Sequence, residues 1–148
     1  MRHRVHAIAT PSEFEEFADD IRRVFRELGR AFSSESIAGE CSPPIDVYET
    51  DDTVEVVAEL PGVDPAMVYV LAKGDGLLIA GDKPTRRAAG ESSFHLVERG
   101  YGRFARVVRL GRPCNAASAR ATMADGELRI SIPKIDERRS RRISISIT

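Results

Sequence analysis

Phe94-His95-Leu96-Val97-Glu98-Arg99, then Gly100-Tyr101-Gly102, then Arg103-Phe104-Ala105-Arg106-Val107-Val108-Arg109-Leu110 is the stretch on which the fold turns. Both flanks alternate apolar with polar side chains, the two-residue period of a strand that buries one face. The two glycines between them permit the backbone angles of a turn. Read locally, the stretch predicts a β-hairpin. The same period recurs on either side of it. Ile45-Asp46-Val47-Tyr48-Glu49 and Val54-Glu55-Val56-Val57-Ala58-Glu59-Leu60 flank an acidic turn, Thr50-Asp51-Asp52-Thr53. Pro61-Gly62 ends the second run, because proline cannot donate to a strand ladder. Met67 to Ala72 and Leu77 to Gly81 read as two further strands around the turn Lys73-Gly74-Asp75-Gly76. A polar segment, Asp82 to Ser93, leads into the quoted stretch. Beyond it, Ser118 to Met123 and Leu128 to Ile132 flank Ala124-Asp125-Gly126, and Asp-Gly between alternating runs is a strong hairpin signal. Many short strands with turn residues between them predict an all-β sandwich or barrel.

The two ends of the chain read differently. Thr10-Pro11-Ser12-Glu13 supplies an N-cap, a proline for the first helical position and a capping-box glutamate. Phe14, Phe17, Ala18, Ile21, Val24, Phe25 and Leu28 follow at helical spacing, and Gly29 is a natural stop, which predicts an amphipathic helix over about residues 11–28. An isolated helix of this length is marginal in water, so its phenylalanine-rich stripe needs a cover. Residues 33–39 read as a linker, placing 1–42 as an N-terminal arm. At the other end Lys134 to Arg142 is basic, and Ile143-Ser144-Ile145-Ser146-Ile147 sets three isoleucines on one face. No strand of its own domain adjoins this tail in sequence, so docking on another subunit is expected.

Composition excludes several classes. Charged residues make up 30% of 148 residues and balance to a net charge of −1, unlike a dedicated nucleic-acid binder. No apolar run reaches the ~20 residues of a membrane span, and residues 1–6 lack a signal-peptide core, so a cytosolic protein without membrane attachment is expected. Cys41 and Cys114 belong to no CxxC or Cys/His cluster and read as reduced thiols.

Enzymatic chemistry finds little support. The glycine pairs are turns and no Gly-x-x-x-x-Gly-Lys-Ser/Thr loop is present, so nucleotide hydrolysis is not indicated. Ser42 or Ser93 with His95 and Glu98 lacks a nucleophile elbow and oxyanion donors, so no catalytic residue is assigned. His3 beside a free amino terminus is the sole candidate metal contact and reads as solvated, so neither a metal nor a cofactor is expected. The run Arg138-Arg139-Ser140-Arg141-Arg142 reads as a solubilising tail.

Several of these elements coincide in order and spacing with one family. Pro44-x-Asp46-Val47-Tyr48-Glu49, Ala58-Glu59-Leu60-Pro61-Gly62-Val63 and Leu77-x-Ile79-x-Gly81 resemble the α-crystallin domain of small heat shock proteins. So do His95-x-x-Glu98-Arg99-x-x-Gly102-x-Phe104-x-Arg106 and Ala121-x-Met123-x-Asp125-Gly126-x-Leu128-x-Ile130-x-Ile132-Pro133-Lys134. The tail resembles the family's Ile-x-Ile anchor, present twice in overlap. The likeness spans about residues 43–134 plus the 135–148 extension and is nearest the bacterial and plant branch. Two positions depart from the pattern: Leu110-Gly111-Arg112-Pro113 replaces Leu-Pro, and Glu127 stands where an aliphatic residue is usual.

The resemblance implies an immunoglobulin-like β-sandwich with a helical arm and an extended tail. It implies that Phe94 to Arg99 crosses to a partner subunit's Ile45 to Glu49, with Ile45, Val47, Phe94, Leu96, Glu98, Arg99 and Arg106 at the dimer contact. Ile143, Ile145 and Ile147 would enter a neighbour's groove formed by Val68, Val70, Ala119, Ala121 and Met123. Assemblies of roughly 12 to 24 subunits would follow by family analogy. Phe14, Phe17, Phe25 and Phe32 are the candidates for contact with non-native client proteins, as exposed aromatics on a mobile arm. The implied activity is that of an ATP-independent holdase chaperone. The alternative is a monomeric CS-type adaptor on a related sandwich.

Overall fold

The computed structural model describes residues 11–28, 40–84, 92–135 and 142–148. Eight strands form two antiparallel four-stranded sheets. In chain order they are β1 (Ile45–Glu49), β2 (Thr53–Glu59), β3 (Val68–Lys73), β4 (Gly76–Lys83), β5 (Gly102–Arg109), β6 (Arg120–Ala124), β7 (Glu127–Pro133) and β8 (Arg142–Ile145). The first sheet runs β1-β2-β7-β6 and the second β5-β4-β3-β8. Two helices precede them, α1 (Pro11–Glu16) and α2 (Ala18–Glu27).

The alternation read from the sequence fills the space between the sheets. Val54, Val56 and Ala58 of β2 and Leu128, Ile130 and Ile132 of β7 meet Val68, Val70, Leu77, Ile79 and Phe104 of the second sheet in one buried cluster. On the outer face of the first sheet the intervening residues of β2 and β7 are polar apart from Val57 and Pro133, and the Glu55 carboxylate accepts from Thr53 Oγ1 and Ser131 Oγ, each at 2.6 Å. The second sheet is different because it is covered on both faces. Leu71, Leu78, Ala80, Ala105 and Val107 point away from the sandwich and pack beneath Phe17, Ile21, Val24 and Phe25. Burial on both sides explains why Leu77-Leu78-Ile79-Ala80 is continuously apolar rather than alternating.

Local features follow their chain neighbours. Asp125 (φ 53°) and Gly126 (φ 77°) both take left-handed angles and close the β6–β7 hairpin as a two-residue turn. The helix expected over 11–28 is interrupted at Phe17, whose amide donates to the Phe14 carbonyl at 3.1 Å before α2 begins. The hairpin expected at Phe94–Leu110 does not form. β5 pairs with β4 along its whole length, from Gly76 opposite Arg109 to Lys83 opposite Gly102. Residues 94–99 take no part in any strand pairing among the described residues. Gly100 to Gly102 therefore joins an unpaired segment to the start of β5 and is not a hairpin turn.

Packing at Gly81 leaves no room for a side chain. A Cβ there would meet the Met67 carbonyl and lie 2.8 Å from Phe104 Cζ. Gly81→Ala is expected to destabilise the domain by about 2 kcal/mol through overpacking. The check is a lower urea midpoint at unchanged slope in equilibrium unfolding.

Candidate functional site

The sandwich has two flanks at which strand edges come side by side, and every expected assembly residue lies on one or the other. On the first flank β1 ends one sheet and β5 ends the other. Ile45 and Val47 of β1 are half-buried and pack against the core, and β1 pairs only with β2 among the described residues. Phe94, Leu96 and Val97 are 62%, 74% and 61% exposed, and Glu98 and Arg99 are exposed beside them. The Arg99 guanidinium lies 5.3 Å from the Tyr101 ring centroid. An irregular segment with three large apolar side chains in water thus precedes Gly100 to Gly102.

Arg106 is the link between the two edges of this flank. It projects from β5 toward the sandwich interior and donates through Nη1 to the Pro43 carbonyl, just ahead of β1. Partial burial pushes its pKa below the ordinary arginine value, and a guanidinium nevertheless stays charged at neutral pH. Glu40 and Cys41 precede this contact and donate their amides to the Arg103 carbonyl at 2.6 and 3.2 Å, covering the start of β5. The Cys41 thiol points at the Gly102 carbonyl, 3.4 Å away, and burial raises its pKa. Cys114 is likewise a free thiol with its pKa raised by burial.

On the second flank the tail meets the expected groove, but within its own chain. β8 adds antiparallel to β3, with Ile145 opposite Val70 and Ile143 opposite Ala72. Ile147 bridges to Ala121 in parallel orientation, and the Thr148 amide donates to the Ala121 carbonyl at 2.9 Å. Ile145 is buried, as are Val68, Val70 and Ala121, while Ala119, Met123 and Ile147 pack partly buried against the same cluster. The expectation that the domain offers the tail no adjoining strand is therefore corrected. The edges of β3 and β6 lie together through non-consecutive pairing, and their free backbone groups accept the tail on both sheets at once.

The aromatic arm also differs from the expectation of exposed side chains. Phe17 and Phe25 are 1% and 0% exposed beneath α2, and Phe14 is partly buried against the same cluster. Phe32 lies outside the described residues, as do His3 and residues 138–141. A set of residues that sequence reading passed over sits under the helix. Asp20, Asp82 and Arg103 are buried charged side chains, and Asp82 is directly opposite Arg103 in the β4–β5 register. Opposite charges at paired strand positions were the available signal, but strand order was needed to pair them.

Ser93, His95 and Glu98 are exposed on the single segment 92–100, and Ser42 is exposed on the chain leading into β1. Among the described residues no group of three or more His, Cys, Asp or Glu is placed to hold a metal ion. No helix among them is long and apolar enough to cross a membrane.

Two stacked sheets, one of which takes the chain's own terminal strand at its edge, with an unpaired apolar segment elsewhere in the chain, define a class: a β-sandwich with strand addition at an edge. Comparison with known proteins carries this further. Residues 46–148 match the model of the Hsp20/alpha crystallin family. The chain is 30% identical over 136 residues to the 16.9 kDa class I heat shock protein 3 of Oryza sativa, covering 91% of each chain. Among solved structures, heat shock protein 16.0 from Schizosaccharomyces pombe superposes with a TM-score of 0.61 at 33% identity, covering 69% of this chain and 94% of that one. A small heat-shock protein from Xylella fastidiosa, described as having a distinct high order structure, gives a TM-score of 0.58 at 32% identity and covers 72% of this chain and 98% of that one. The chain belongs to the small heat shock proteins of the Hsp20/alpha crystallin family, related to the plant class I and bacterial members and non-enzymatic.

Removing the Arg106 side chain leaves the Pro43 carbonyl without that donor. Arg106→Ala is expected to cost about 2 kcal/mol in urea unfolding, and Arg106→Lys to recover part of the loss.

Proposed function

We propose that this protein is an ATP-independent holdase that works in the cytosol and captures unfolding proteins in competition with their aggregation. The observation that carries the reading is that Phe94, Leu96 and Val97 are exposed and outside any strand pairing, in a chain whose β1 pairs only with β2 among the described residues. Strand exchange between two protomers joins Phe94 to Arg99 of each with Ile45 to Glu49 of the other. Burying Phe94 and Leu96 in this way contributes roughly 1.5–3 kcal/mol per side chain before ordering costs. Glu98 and Arg99 flank that contact, and Arg106 stiffens the edge that receives the strand by holding the chain at Pro43.

In higher assemblies the tail of one dimer occupies the groove of the next. The groove contacts made by Ile143, Ile145 and Ile147 are chemically the same whether the tail comes from the same chain or a neighbour. Exchange between the two arrangements therefore needs no new interface, only a tail that leaves one groove and enters another. Clients are held by Phe14, Phe17, Phe25 and Phe32 when the arm leaves its sheet. Apolar contact of this kind requires no sequence readout and suits clients that share only exposed hydrophobic surface.

Size-exclusion chromatography with light scattering at micromolar concentration tests the assembly. Oligomers are expected for the wild type, and dimers after replacing Ile143, Ile145 and Ile147 together by Gly. Unchanged mass overturns the tail as an intersubunit anchor, and a wild-type monomer overturns strand exchange in favour of a CS-type adaptor. For the activity, the protein is expected to suppress heat-induced aggregation of a model client without ATP. Light scattering that rises as fast with the protein as without it, across a range of molar ratios, refutes the holdase.

A further inference from the structure

We infer that Arg103 is a latch that holds α2 on the outer face of the second sheet and ties that helix to the start of β5, just beyond Phe94–Arg99. The apolar side chains of α2 alone are sufficient to bury a helix, and a packed apolar face has no need of charge. Yet charged groups lie beneath it. Arg103 and Asp82 are each 2% exposed and Asp20 is 3% exposed. Arg103 and Asp82 share the helix-facing side of the sheet with Ala80 and Ala105, because the β4–β5 register alternates Asp82–Arg103 with Gly81–Phe104 on the opposite face. Asp20, on the helix itself, pairs at 3.4 Å with Arg23 at the rim.

Three elements converge on Arg103. Its guanidinium carbon lies 5.3 Å from the Phe25 ring centroid, a cation–π contact with α2. Its Nη2 is 3.5 Å from Glu40 Oε1, and its own amide donates to Glu40 Oε2 at 2.9 Å. Its carbonyl accepts the amides of Glu40 and Cys41. The preceding residue, Gly102, has φ +100°, and a Cβ there would collide with the Glu40 carboxylate. The helix, the chain leading into β1 and the start of β5 thus share one residue just after Gly102.

Charge buried in this way suits a reversible cover. A buried ion network adds little net stability over an apolar one, but removing one member leaves the others uncompensated. When α2 lifts, Arg103 and Asp82 regain water, which offsets part of the cost of exposing Leu71, Leu78 and Val107. The helix is held in one position without being held as tightly as core. This deepens the holdase reading by supplying its regulation, and it rests on that reading only for the consequence that the released phenylalanines of the arm capture clients.

Amide hydrogen exchange on the full-length protein tests the latch directly. Arg103→Met retains bulk and loses the charge, and it is expected to speed exchange of the α2 amides at least tenfold while β2 and β7 amides keep their protection. Phe25→Leu, which keeps an apolar side chain and removes the ring, is expected to speed the same amides about threefold to tenfold. It serves as the second variant if Arg103→Met does not fold. Asp82→Leu combined with Arg103→Met is expected to return α2 exchange to the wild-type rate or below it. Unchanged α2 exchange in Phe25→Leu and in any folded Arg103→Met protein overturns the latch. So does a double variant as fast as Arg103→Met alone, since shape rather than charge would then be responsible. Client capture is read separately at ambient temperature, where Arg103→Met is expected to exceed the wild type several-fold. Faster α2 exchange without added capture overturns the client role of the released arm, while a wild type inactive at every temperature refutes the holdase itself.

Discussion

Open strand edges, with backbone donors and acceptors that must find partners, are the constraint to which most of this molecule answers. A sandwich of two sheets has an edge strand at each end of each sheet. Here the edge strands are β1 and β6 of one sheet and β5 and β8 of the other, and without the tail strand β8 the second sheet would end at β3. The tail satisfies that edge by running antiparallel along β3 and then bridging to Ala121 of β6. Glu40 and Cys41 satisfy only the start of β5. Among the described residues β1 pairs only with β2, and the chain carries an exposed, unpaired apolar segment at Phe94–Arg99 just before Gly100–Gly102. The proposed assembly by strand addition rests on the presence of those two features in one subunit.

The two sheets are unequal. The first presents Glu55, Arg129 and Ser131 outward and is finished as it stands, with a polar face toward water. The second is apolar on both faces and complete only with α2 in place. That asymmetry makes the N-terminal helix part of the fold in this conformation, and it also makes the helix the natural element to move. Its cover includes Phe14, Phe17 and Phe25, three of the side chains proposed to hold clients, so in that proposal docking and adhesion compete for the same side chains.

Two arginines three residues apart on β5 illustrate how strand geometry divides roles. Arg106 points into the sandwich flank and reaches the Pro43 carbonyl, joining the edges of the two sheets. Arg103 points to the opposite face and lies under the helix against Phe25. An odd separation sends the two guanidinium groups to opposite sides of the sheet, so one braces the assembly edge while the other braces the arm. Gly100–Gly102 lies just before both.

What the sequence determined by itself is whatever depends on near neighbours in the chain. The strand period from Ile45 onward, the stops at Pro61 and Pro133, the Asp125-Gly126 turn and the helical spacing of Phe14 to Leu28 all follow from local sterics and alternation, and each is found close to its expected place. The order of motifs was also enough to reach the family. Tertiary structure decided the rest. Phe94–Arg99 and Arg103–Leu110 alternate equally well, and nothing within them says that only the second joins β4. Ile143, Ile145 and Ile147 announce an apolar edge without saying whose groove receives it. Phe17 and Phe25 share a helical stripe, but only the folded sheet places Leu78 and Arg103 beneath it. Periodicity specifies which face of an element is apolar, whereas its partner is set by strand edges that come together from distant parts of the chain.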